Sequence, residues 1–190
     1  FKLTTTAWWL NLDSELKFVG DSNSVEPGPS SQRRGYEFVG FWRPYGWLGI
    51  DAVYASSHAR ADNGGDNYIA GAVERAGELG VSAVQGRWEA SARLRYLGPY
   101  PLLEDNSERA ADEFMLNLRL AYKPGRWTLY GELLNALDHD GKDIVYWYGS
   151  NVPGIDPAPD MNDPDATRVE GRVSRAEEPR TVRVGVRYAF

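Results

Sequence analysis

Cysteine is absent from the 190-residue chain, so disulfide scaffolds, thiol catalysis and Cys-based zinc sites are excluded. Histidine occurs only at 58 and 139, which leaves little material for acid–base or nucleophilic catalysis. Long apolar runs are missing too. Nothing approaches the roughly 18 consecutive apolar residues that a membrane helix requires, so helical spans are excluded. Mean hydropathy is −0.50. That value does not reach transmembrane β-strands, which turn only alternate residues toward lipid and average out as mildly polar. No cationic excess exists either: the formal charge is −6, which argues against a nucleic-acid footprint.

What is present points to β-structure. Aromatics make up 13% of the chain, with seven Trp and eleven Tyr, and Gly is abundant at 20 residues. Period-two alternation predicts about nine strands and no convincing amphipathic helix. The clearest runs from Thr181 to Phe190: Val182, Val184, Val186, Tyr188 and Phe190 on one face, Thr181, Arg183, Gly185, Arg187 and Ala189 on the other. Glu113–Tyr122 and Arg87–Leu97 repeat the scheme. Weaker candidates lie near 7–12, 15–20, 36–43, 47–57, 76–84 and 127–137, the last with a bulge expected around Leu133-Leu134-Asn135.

The connections alternate between short and long. Tight turns are expected at Asp13-Ser14, Arg43–Gly46, Gln85-Gly86 and Lys123–Arg126. Long loops are expected at Asp21–Arg34, His58–Arg75, Gly98–Asp112 and Asp138–Arg180. An outer-membrane barrel has this asymmetry, with short periplasmic turns and long extracellular loops. It places Phe190 at the periplasmic rim and the Asp138–Arg180 loop outside. The aromatics sort the same way. Trp42, Tyr45, Trp47, Trp88, Tyr122, Trp127, Tyr188 and Phe190 fall beside short turns or at the C-terminus, as an interfacial girdle would. Trp8, Tyr36 and Tyr96 fall at the opposite ends and suggest the outer girdle.

A soluble β-sandwich would explain alternating strands but not this sorting by strand end. The fold class expected is therefore an all-β, antiparallel transmembrane β-barrel. An odd strand count is awkward for a complete bacterial barrel, and an open sheet would leave edges unpaired in lipid. The expectation is one partial barrel domain over 1–190, the C-terminal portion of a larger barrel. The chain opens on Phe1-Lys2-Leu3 with no signal peptide, which on this reading points to missing upstream sequence.

At this point the residues resemble a known family. The ending EPRTVRVGVRYAF looks like the last strand of TonB-dependent outer-membrane receptors, and GRWTLYGELLNALDHD like the strand before it. The latter usually ends in an Asn-containing motif with an aromatic, where Asn135-Ala136-Leu137-Asp138 carries Leu instead. RLRYLGPYPLLEDNS, from Arg93, and WWLNLDSELKFVGD, from Trp8, are also similar to segments of that family. The resemblance implies a complete barrel of about 22 strands plugged by an N-terminal domain, that domain and the earlier strands being absent here. It implies TonB-dependent uptake of a scarce nutrient, such as a ferric siderophore, across the bacterial outer membrane. Implied partners are outer-membrane lipid, the TonB complex through the missing plug, the small-molecule nutrient and the barrel-assembly machinery. Tyr188 and Phe190 resemble the signal that this machinery reads. A passive porin-like channel is the second reading and a soluble carbohydrate-binding sandwich the third.

Candidate binding residues follow from the polar strand faces. Arg93, Arg95, Arg119, Arg183 and Arg187 are expected to line the lumen, with Glu89 and Glu132 as possible partners. They would either pair structurally, with one another and with the plug, or form an electropositive path for an anionic ligand. Tyr146, Trp147 and Tyr148, in the run from Ile144, would be a strand extension above the membrane or a ligand-capturing surface. No enzyme activity, metal or cofactor is expected. His139 between Asp138 and Asp140 does not make a working constellation. The run Asp138–Asp143 lacks the spacing and distal Glu of a calcium loop and reads as a solvated acidic loop. Asp156, Asp160, Asp163 and Asp165, interleaved with Pro, fit a mobile extracellular loop.

Overall fold

The computed structural model describes residues 1–14, 16–19, 24–62, 67–152, 155–156 and 168–190. Asp160, Asp163 and Asp165 lie outside the described residues, as do Glu15, Gly20 and Asp21. Among the described residues there is no helix. Twelve strands run in chain order: β1 (Lys2–Leu12), β2 (Leu16–Val19), β3 (Ser24–Pro27), β4 (Ser31–Tyr45), β5 (Leu48–Ala61), β6 (Arg75–Gln85), β7 (Trp88–Leu97), β8 (Glu113–Tyr122), β9 (Trp127–Leu134), β10 (Lys142–Ser150), β11 (Val169–Ala176) and β12 (Thr181–Tyr188). Eight of them form one open sheet in the order β1-β4-β5-β6-β7-β8-β9-β12, while β2-β3 and β10-β11 pair separately. Every pairing is antiparallel.

The first hairpin expected from sequence is absent. β1 does not turn at Asp13-Ser14 into a wall strand. It pairs with β4 over its whole length, from Lys2↔Phe41 to Leu12↔Ser31, and β2-β3 make a hairpin of their own within the connection between them. The Thr4-Thr5-Thr6 run, which reads as polar, is β-branched and extends the strand back to Lys2. The wall thus holds eight strands, and its connections still alternate: long between β1 and β4, short between β4 and β5, and so on to the long one between β9 and β12. The two-residue turn at Gly86-Arg87 is made possible by Gly86 at φ 60°, a left-handed conformation that a Cβ disfavours.

Cross-strand register separates two faces. One row runs Val182–Leu133–Leu118–Ala92–Val81–Ile50–Trp42 through successive partners. The rows above and below it on that face are equally apolar. Val182, Val184 and Val186 are 71%, 82% and 63% exposed, and among the described residues no second layer covers them. The opposite face carries Asp51, Glu78, Arg93, Arg119, Glu132, Arg183 and Arg187. At the short-turn end of the apolar face, rings pack along the strand ends: Trp88 with Tyr122 and Trp127 with Tyr188, both at 4.7 Å, and Tyr188 with Phe190 at 5.4 Å. Tyr45 stacks on Trp47 at 5.7 Å. Toward the loop end, Tyr36, Tyr54, Tyr96 and Phe114 form a second aromatic row.

Trp8 does not join that second row. It lies on the polar face, its ring over Gly35, where a Cβ would sit 2.6 Å from the indole. Its neighbour Trp9 points to the apolar face and is 65% exposed. No bulge forms at Leu133-Leu134-Asn135: the β9–β12 register is unbroken from Trp127↔Tyr188 to Leu134↔Thr181. The alternation fails there because the strand ends. Asn135 adopts φ 47° and turns the chain out of the wall. The long connection that follows contains β10-β11.

Candidate functional site: the polar face and the loop clasp

On the polar face, ion pairs form across strands. Arg93 on β7 pairs with Glu78 on β6 and, at 3.5 Å, with Asp51 one strand further away. Asp51 reaches across because Gly80 stands between them in the register; a Cβ there would lie 2.5 Å from its carboxylate. Arg119 pairs with its direct partner Glu132, and its guanidinium lies 4.4 Å from the centre of the Tyr130 ring. Tyr130 in turn occupies the space over Gly185, which any larger residue would fill. Glu89 pairs with Lys123 rather than with an arginine. Arg183 is opposite Glu132 in register but bonds Glu178 beyond the strand end, at 2.6 Å. Among the described residues Arg187 has no hydrogen-bond or ion-pair partner.

Arg95 faces a different environment. It lines a cleft of about 280 Å³ with Val53, Ala55, Glu78, Glu113, Lys142 and Glu177, where the foot of the β10-β11 hairpin meets the wall. Glu113 Oε2 lies 2.8 Å from His139 Nε2, and Glu113 Oε1 accepts the Lys142 backbone N–H at 3.0 Å. Glu177 stands beside them. Burial pushes its carboxyl above the ordinary value, and the Glu113 charge pushes further in the same direction; Arg95 and His139 oppose this. Its Oε2 is buried with no hydrogen-bond partner among the described residues.

Asn135 ties this region to the wall. It is 2% exposed, and its Nδ2 donates to the carbonyls of His139 (2.9 Å) and Glu178 (3.2 Å). Its Oδ1 accepts the His139 N–H at 3.0 Å, while its own N–H donates to Asn117 Oδ1 at 3.0 Å. One side chain therefore clasps the outgoing and returning arms of the longest connection. The hairpin above the clasp turns Val145 and Trp147 against Tyr100, Leu102, Ala110 and Leu97, forming a small apolar core with the β7–β8 connection. Arg172–Glu108 (2.6 Å) and Arg109–Glu74 brace the same assembly. Tyr146 and Tyr148 lie on the other face of β10, opposite Val173 and Gly171. The run Ile144–Tyr148 lies within β10, in a two-stranded sheet apart from the wall, and its three candidate rings divide between a packing face and the opposite one.

The acidic run 138–143 is occupied by cations from the chain itself. Asp138 pairs with Arg180 at 3.1 Å, Asp140 with Lys142 at 3.1 Å, and Asp143 with Arg175. Among the described residues no group of three His, Cys, Asp or Glu is arranged to hold a metal ion. Sequence reasoning located the arginines but missed Asp51, Glu78, the Glu113–His139–Glu177 cluster and the Asn135 clasp. Glu113, Glu78 and Asp51 do fall on the polar side of their strands, the one signal that could have nominated them.

No protein-family model matches the chain, and neither does any curated protein. Solved structures do match in fold. The ferric preacinetobactin receptor BauA of Acinetobacter baumannii superposes with a TM-score of 0.63 at 16% identity, covering 98% of this chain and 27% of BauA. The copper transporter OprC gives 0.62 at 15% identity, over 98% of this chain and 30% of OprC. The ferric yersiniabactin uptake receptor FyuA of Yersinia pestis gives 0.60 at 14%, over 99% and 35%. The chain spans about a quarter to a third of the length of these proteins, and the shared feature is the antiparallel barrel wall.

Proposed function

We propose that the chain is the C-terminal wall of an outer-membrane receptor that takes up a scarce metal-bearing nutrient, such as a ferric siderophore, with energy supplied through TonB. The observation that carries this reading is the division of one sheet into a continuous apolar face and an ion-paired polar face, with connections long at one end only. A wall with lipid on one side and a wet, charged interior on the other requires that division. The fold likeness to BauA, FyuA and OprC, each a receptor or transporter for a metal or its chelate, supports the cargo class.

On this reading the polar face lines the lumen, and the β10-β11 hairpin stands above it on the cell exterior. Coupling to TonB would run through a plug domain seated against this wall. Arg93, Arg119 and Arg183 brace the wall through their carboxylates. Arg95, Arg187, Tyr146 and Tyr148 are the residues offered to cargo or plug, and Trp147 holds the hairpin in place. Tyr188 and Phe190 serve as the assembly signal. The test is growth on a panel of ferric and cupric chelates, using the full-length protein in a strain stripped of its own receptors. Growth restored only when TonB is intact is the expected result. Restoration without TonB would favour a passive channel, and no restoration by any chelate would remove the metal-uptake reading.

A further inference from the structure

The apolar face ends, on the loop side, in three arginines and a histidine. Register places Arg34 on β4 directly opposite His58 on β5, with Trp9 on the other flank of Arg34. One step toward the loops, Gln32 is opposite Arg60; one step toward the belt, Ser56 is opposite Arg75 on β6. Since alternate residues share a face, Arg34, His58, Arg60 and Arg75 all project to the side that carries Tyr36, Phe38 and Tyr54. With a strand spacing of about 5 Å and a two-residue step of about 7 Å, Arg34, Arg60 and Arg75 each lie within about 5–9 Å of His58 at the backbone, and their long side chains can converge on a ligand above it. The guanidiniums of Arg34 and Arg60 both act electrostatically on the His58 ring.

These charges are not neutralised in place. Arg34 and Arg75 are exposed and have no hydrogen-bond or ion-pair partner among the described residues. Arg60 lies over the Tyr68 ring at 3.7 Å and donates to its own strand's Ala59 carbonyl at 2.7 Å, with no carboxylate partner among the described residues. Glu74, the carboxylate in electrostatic reach of His58, is committed to Arg109. On the polar face Arg93, Arg119 and Arg183 have carboxylates, and Arg187 is the one in that set without an ion pair among the described residues.

We propose that Arg34, His58, Arg60 and Arg75 form a binding site for the phosphate-bearing headgroup of an anionic membrane lipid whose acyl chains lie along the apolar face below. The inference rests on the membrane-wall reading above. Two arguments select this occupant. Guanidiniums on adjacent strands match phosphate oxygens in geometry and charge. The patch is also continuous with the aromatic row Tyr36–Tyr54–Tyr96 and the aliphatic belt, so a ligand must be anionic at one end and apolar at the other to cover it. A soluble phosphate would use only half of the surface.

Trp9 supplies a local reporter. The full-length protein would be reconstituted in phosphatidylcholine vesicles carrying either spin-labelled phosphatidic acid or spin-labelled phosphatidylcholine. The Trp9 contribution is the difference in quenching between the wild type and W9F. Wild type should prefer the anionic lipid, and R34Q/R75Q should lose about fivefold of that preference per guanidinium removed. R126Q, in the short turn at the opposite end of the sheet, should keep the wild-type lipid preference, and heat-modifiable gel migration would show that each variant is folded. Equal quenching by the two lipids in wild type, or a preference that survives in R34Q/R75Q, overturns the proposal. So does its loss to millimolar inorganic phosphate, which would indicate a free-phosphate site. Failure of both lipids to quench any tryptophan would instead contradict the membrane wall itself.

Discussion

Asn135 shows how one residue can organise a connection of more than forty residues. Its left-handed φ of 47° suits Asn better than any branched side chain, and its amide satisfies backbone groups on both arms of the loop. N135A should leave those part-buried groups without their partner, at a local cost on the order of 1–3 kcal/mol. Amide exchange of His139 and of the residues around Glu178 should accelerate, while exchange in β6 and β7 stays unchanged. Glu177 gives this stem a pH dependence. Its folded carboxyl titrates above its ordinary value of 4.5 because of burial and Glu113. A group raised on folding stabilises fully below the unfolded value and loses that contribution as pH rises through the folded one. The stem is therefore expected to be best protected under acid conditions and to loosen above pH 4.5 as Glu177 ionises, and E177Q should flatten that profile. An unchanged pH profile in E177Q would contradict this.

At the scale of strands, burial is decided by face and not by residue. Val184, 82% exposed with no second layer over it among the described residues, sits near the middle of β12 on the apolar side. V184R should destabilise the full-length barrel by about 2–4 kcal/mol in bilayers, as a charge at the midplane does, whereas R187Q on the other face should cost little. Denaturant titration of the two variants in the same lipid compares them directly. β7, β8 and β12 were legible from sequence because their alternation is strict. Of β1 only 7–12 was legible, since its threonines look polar, and β2 read as a wall strand because propensity says nothing about which partner a strand chooses. The polar-face pairs were hidden for a related reason. Asp51 meets Arg93 only because of the register that puts Gly80 between them, and register is a property of strand pairs. At the chain's end, F190N is expected to slow outer-membrane assembly of the full-length protein. Normal insertion rates in pulse-labelled cells would argue against Phe190 as an assembly signal.

For the whole molecule, everything follows from hydrocarbon on one side of the sheet and water on the other. These 190 residues hold no cysteine, so single nitroxide labels can be placed in them once any cysteine elsewhere in the full-length protein is replaced. Labels at 182, 183, 184, 186 and 187 of the full-length protein in bilayers would report oxygen, which concentrates in lipid, against a water-soluble nickel complex. Oxygen exposure should be high at 182, 184 and 186 and nickel exposure high at 183 and 187, alternating with the pleat. Low exposure to both reagents at the valine positions would mean that protein covers them, and the membrane-wall account would be wrong.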